Sequence, residues 1–227
     1  ATNALLSQAA TYLSGAAVIR GLNRMITGGV RYNAVLEQQS TAFETLLGSA
    51  AAAQERVEAL VKFAASTPFQ LPELVNASKL LQSFSGEALS VGDGLRLVGD
   101  AAAAVGAPIG NVAMWFGRLY AALTNGAPMG EAIARLTELG LISGETRRLL
   151  AAQEGQTLTT ADAMGVMQQA FGFASGAMVK QSTTLNGLIS TMADTFDMLA
   201  GKATERLTAR IKALTGRMID LGGQSAV

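Results

Sequence analysis

The chain contains no Cys and no His. Thiolate nucleophiles, imidazole bases and zinc sites of the Cys/His kind are therefore excluded together. Carboxylates are what remains for acid–base or metal chemistry. Glu55 with Glu58, and Asp194 with Asp197, stand three residues apart and would share a helix face. No third ligand type lies near either pair, so both read as solvated surface. Gly92-Asp93-Gly94 lacks the Gly-Lys-Ser/Thr ending of a phosphate loop. Ser175 follows no strand pattern and has no His to serve it, so it is no nucleophile elbow. Arg147-Arg148 is a small basic patch without interleaved aromatics, which argues against specific nucleic-acid binding. These residues predict no catalytic site, no cofactor, no metal and no enzyme.

What the chain offers is packing surface. Hydrophobic residues make up 49% of its 227 positions, aromatics only 5% and charged residues 15%. An Ala- and Gly-rich, aromatic-poor interior suits closely approaching helices better than sheets. So few charges leave a bland exterior that implies partners, an enclosed space or a membrane. Net charge is zero but uneven: +3 over residues 1–36, −6 over 37–197 and +3 over 198–227. Basic ends would steer toward a negative surface, unless the distribution is ordinary scatter.

The clearest pattern runs from Gly176 to Leu221. Leu185, Ile189, Met192, Phe196, Leu199 and Ala203 follow one another at heptad steps. Leu207, Ile211, Leu214, Met218 and Leu221 continue the row after a stutter. One helix of about 40 residues is predicted, with Gly201 and Gly216 as points of bending. The half before Gly201 also suits the core of a bundle. The half after it has little chain left to cover it and predicts packing on another copy or another protein. The large residues of the row are the candidate oligomer or partner interface.

Ahead of this helix the elements read as helical throughout. Residues 1–19 carry no charge, and Leu5, Ala9, Tyr12, Leu13, Ala16 and Ile19 form a stripe. The length approaches a membrane span, but Thr2, Asn3, Ser7, Gln8, Thr11 and Ser14 weigh against one. No basic residue precedes the apolar part, which argues against a signal peptide. Gly28-Gly29 is expected to break the first helix. Gly48 and Ser49 predict a stop and a restart. Ser66-Thr67-Pro68-Phe69 is a firm stop, and Pro72 with Glu73 suits a new first turn. Ile109, Val112, Ala113, Phe116, Leu119, Tyr120 and Leu123 fit the helical template best. Ser143 and Thr159 are capping residues, the second forming a capping box with Asp162. No period-2 strand is present. The expected fold is all-α: a multi-helix bundle of about nine or ten helices with a long C-terminal heptad-like helix. Three parts are expected: an apolar helix over 1–30, a helical domain over 31–175, and an oligomerisation helix over 176–227.

An ordered series of blocks also resembles a known family. It runs from Arg31-Tyr32-Asn33-Ala34 through Phe43 to Ala50, Phe63 to Phe69 with Leu71-Pro72, and Leu81 to Phe84. Gly99-Asp100, Gly117-Arg118-Leu119, Gly130-Glu131-Ala132 and Leu136 to Gly140 follow, then Ser175-Gly176-Ala177-Met178 with Gln181-Ser182. Over residues 31–200 the chain resembles the helical domain of tail tape measure proteins of long-tailed bacteriophages. The motif residues are Thr67, Pro68, Phe69, Gly176, Met178, Gln181 and Ser182. Phe84-Ser85-Gly86 departs from the family, which usually shows a glycine directly after Phe. The resemblance implies a structural virion protein in the tail tube lumen or at the tail tip, present in the host cytoplasm during assembly. It implies several copies lying together, and a homo-oligomer is expected, with a trimer as a guess that the residues do not fix. Implied partners are the tail tube protein, tail tip or hub proteins and a tail assembly chaperone. The role implied is setting tail length, nucleating the tube and leaving at DNA ejection, with the host inner membrane as a further contact. The alternative from the residues is a membrane-active helical protein forming a pore or translocation channel.

Overall fold

In the computed structural model the described residues are 15–224, with side chains described for 23–184, 192 and 195–217. Eleven α-helices follow in order: α1 Gly15–Leu47, α2 Ala50–Ala64, α3 Leu71–Ser85, α4 Glu87–Ser90, α5 Gly92–Val105, α6 Ile109–Asn125, α7 Gly130–Glu138, α8 Gly144–Ala151, α9 Thr160–Phe171, α10 Ala177–Ser182 and α11 Leu185–Gln224. A 3-10 turn, Gly172–Ala174, follows α9, and there is no strand among the described residues. The all-α expectation is met.

The chain divides into two compact units. One is Gln39–Asp194; the other comprises the described residues up to Gln38 and from Thr195 onward.

In the larger unit α3 and α6 pack along each other, with α5 beside α6. Leu74, Ala77 and Leu81 of α3 are buried with Val112, Phe116, Leu119 and Leu123 of α6. Burying each large apolar side chain contributes about 1.5–3 kcal/mol. Phe116 also meets Phe171 of α9, ring centroids 4.3 Å apart. The helix ends follow their local chemistry. Ser49 accepts from Ala52 N (3.3 Å), Ser143 from Thr146 N (3.1 Å) and Thr159 from Asp162 N (3.2 Å). Gln70 N donates to Glu73 Oε2 at 3.0 Å, closing the start of α3.

Two sequence readings are corrected. Gly28-Gly29 does not break α1, which runs unbroken from Gly15 to Leu47. The predicted long C-terminal helix is present as α11, 40 residues from Leu185 to Gln224, but it does not begin near Gly176: α10 ends at Ser182 and α11 starts at Leu185. At the break Thr183 Oγ1 donates to Lys180 O (2.7 Å) and Thr184 Oγ1 to Gln181 O (2.6 Å). Hydroxyls bonding carbonyls three residues back compete with the helical amide ladder, which is why adjacent threonines favour a break.

Candidate functional site

Gly29 explains why α1 continues. In the smaller unit α1 and α11 lie side by side, and a Cβ on Gly29 would overlap the Ala200 carbonyl oxygen and the Thr204 hydroxyl. Gly201 of α11 is equally tight: a Cβ there would meet Tyr32 Cδ1 at 2.5 Å. These glycines serve close backbone approach rather than bending. Asn33 Nδ2 donates to Gly201 O (2.9 Å) and to Thr208 Oγ1 (3.2 Å). Lys212 Nζ pairs with Glu37 Oε1. The pairings advance in the same direction along both helices, so α1 and α11 run parallel.

The face of α11 used in this pairing is small and polar: Ala200, Gly201 and Thr204 are buried. The apolar row lies elsewhere. At 3.6 residues per turn its centre is about 85° around the helix from the buried face. Phe196, Leu199, Leu207, Ile211 and Leu214 are all exposed, Leu214 at 60%. Met192, in the other unit, is 71% exposed. Leu185, Ile189, Met218 and Leu221 lie on the α11 backbone, with side chains outside the described residues.

A second feature of α11 was not singled out in the sequence. Lys202, Arg206, Arg210 and Arg217 each follow Leu199, Ala203, Leu207 and Leu214 by three residues. That offset sets all four on one flank of the row, and all four are exposed. The three-residue offset is the signal that would have found them. The smaller unit holds eight basic and four acidic side chains, the larger nine and thirteen. The charge asymmetry of the sequence therefore coincides with the division into units.

The motif residues behave as structural joints. Asp100, on α5 and only 5% exposed, accepts from Gly176 N through Oδ2 and from Met178 N through Oδ1, both at 3.0 Å. It caps α10 from another helix and offsets that helix's free amides. Gly176 takes φ +78°, and Met178 is buried with its sulfur against Gly99, where a Cβ would collide. The structure thus brings together Gly99-Asp100 and Gly176–Met178, two blocks that the sequence shows only as separate. Ser182 donates to Val179 O at 2.9 Å. Thr67 and Phe69 are buried, Pro68 half-buried. The Thr67 hydroxyl and Gln181 Oε1 are buried without a hydrogen-bond partner.

Arg56 is a buried cation that no local pattern in the sequence marks. Its NH1 donates to Gln82 Oε1 (3.1 Å) and Ser90 Oγ (3.2 Å), and its guanidinium lies 5.6 Å from the centre of the Phe43 ring. Burial pushes its pKa below the usual arginine value, with Glu87 opposing.

Among the described residues no group of three or more Asp and Glu side chains is placed to hold a metal ion. No helix among them is long and apolar enough to cross a membrane. Comparison with protein families, with curated proteins and with solved structures returns no match for this chain.

Proposed function

We propose that the chain is the helical part of a tail tape measure protein, a structural virion protein that works by packing helices against its own copies and against tail tip or tube proteins. The reading is supported by the ordered sequence blocks, which point to this family. The observation that carries it is the open row on α11: Phe196, Leu199, Leu207, Ile211 and Leu214 stay in water while a small polar face packs on α1. Exposed apolar rows of this kind mark interaction surfaces. Copies meeting along it would bury about 25 cal/mol for every Å² of apolar surface covered.

Mass by light scattering tests the interface. Ile211→Asp with Leu214→Asp is expected to lower the particle mass; an unchanged mass removes the row as an interface between copies. Tail length tests the role. A phage carrying 28 extra helix-forming residues beyond Gln224 is expected to have a tail longer by about 42 Å, at 1.5 Å per residue. A tail of unchanged length overturns the tape measure reading.

A second reading, a membrane-active helical protein, is favoured by the basic flank. An apolar row edged by Lys202, Arg206, Arg210 and Arg217 has the composition of a helix that lies on anionic lipid. Dye release from anionic vesicles by the full chain supports this reading, and intact vesicles at saturating protein remove it.

A further inference from the structure

Between α2 and the first turns of α5 lies a half-open cavity of about 160 Å³. Arg56 and Phe63 line it from α2, one face at helical spacing, and Gly92, Leu95 and Arg96 line it from α5. Its walls are largely apolar, yet two arginines meet there. Arg56 is 5% exposed, and its nearest carboxylate, Glu87 at 3.5 Å, is 78% exposed. Arg96 stands over the Phe63 ring, 5.8 Å from its centre. Its own acid, Asp93 at 3.9 Å, is 91% exposed. Both counter-charges sit in water, where screening makes them weak partners.

A guanidinium has five N–H donors, and Arg56 uses its donors on Gln82, Ser90 and the long contact to Glu87. A buried cation with a water-screened partner favours a further anion that shares its cavity. The lowered pKa of Arg56 agrees, since burial outweighs Glu87 there. Val91, which precedes α5, makes no side-chain hydrogen bond to the free amides there, and Asp93 in the first turn of α5 is not among the residues that line the cleft. The volume corresponds to about five waters at roughly 30 Å³ each, enough for a carboxylate and a short aliphatic tail and too little for a nucleotide.

We infer that the cleft between α2 and α5 binds a small carboxylate with a short aliphatic body, held by Arg56 and Arg96 with its tail against Leu60, Phe63 and Leu95. The same chemistry is presented by a free short-chain acid and by the carboxyl end of a polypeptide that ends in an aliphatic residue. This inference stands independently of the tail reading.

The test is an amide-detected NMR titration of the full chain. The probes are valerate, its neutral isostere valeramide, and an acetylated Gly-Leu dipeptide with a free or an amidated end. Saturable shifts at Gly92, Leu95 and Arg96 are expected with valerate or with the free-ended dipeptide. Affinity is expected to be about tenfold lower for the neutral forms, the size of one lost charge-assisted hydrogen bond. Arg96→Gln, at a position whose side chain is 57% exposed, is expected to keep the fold and to lower the affinity by a similar factor. Saturation with valerate alone assigns the cleft to a free acid; saturation with the dipeptide alone assigns it to a polypeptide end. The inference is overturned if neither carboxylate binds, if the neutral isosteres bind as well, or if Arg96→Gln leaves the affinity unchanged.

Discussion

Helices α6 and α11 have comparable apolar stripes and opposite fates. The stripe of α6, from Ile109 through Phe116 to Leu123, is wholly buried under α3 and its neighbours. On α11 the described large residues of the row, Phe196 to Leu214, are exposed, and among its described residues those buried are Ala200, Gly201 and Thr204. The difference lies in the neighbours. Helix α3 offers Leu74 and Leu81, large side chains that are fully buried, and it packs against α6, where Phe116 and Leu119 are buried too. Helix α1 offers Gly29, Tyr32 and Asn33, which suit a close backbone approach and hydrogen bonds. A face is therefore buried when a neighbour complements it, and hydrophobicity alone does not select it. An apolar row left over in this way has further burial to gain from a partner.

Charge separates the same two regions. The smaller unit has an excess of four basic side chains and the larger an excess of four acidic ones. Copies meeting along the α11 row would bring Lys202, Arg206, Arg210 and Arg217 near their own equivalents. Homotypic pairing works against this repulsion, and an acidic partner would be favoured by it.

Mutations that break the contrast are ranked by how much packing they remove. Phe116→Ala in the larger unit is expected to cost about 3–5 kcal/mol, the range for deleting a buried ring, read from urea unfolding by circular dichroism. A loss under about 1 kcal/mol would mean that the α3–α6 core is not the main source of stability. Asp100→Ala is expected to cost about 2–3 kcal/mol, because one buried and one half-buried amide donor lose a charged acceptor. Hydrogen exchange should speed up at Gly176 and Met178 first; unchanged exchange there would dissociate Asp100 from the α10 cap.

Gly29→Val tests the smaller unit by overpacking, with an expected cost of about 1–3 kcal/mol. Faster exchange should be confined to α1 and residues 195–217; faster exchange across α3 and α6 as well would erase the distinction between the units. Leu214→Asp is expected to shift chain stability by less than about 0.5 kcal/mol, since its side chain already meets water, while weakening association. A large stability loss would place Leu214 in a core. Raising salt from about 0.05 M to 0.5 M shortens the screening length to well under 10 Å. Self-association along the row should then strengthen modestly, and weakening by salt would point to a charge-complementary contact.

Periodicity made most of the fold legible in the sequence. The spacing of Ile109 to Leu123 reveals α6 because a buried helical face repeats every 3.6 residues wherever it lies. Ser49, Pro72, Ser143 and Thr159 mark helix starts because caps are satisfied within a few residues of themselves. The apolar row from Phe196 to Leu214 was legible for the same reason. Only tertiary structure decided what those local rules leave open. Gly28-Gly29 reads as a break until α11 occupies the space above Gly29. Asp100 carries no local sign of its role until Gly176 and Met178, more than seventy residues on, bring it two amides. Arg56 carries no local sign of burial until Gln82 and Ser90 enclose it. In each case the deciding neighbour is remote in the chain. Spacing along one helix specifies which residues share a face, and contact with another helix determines what that face meets.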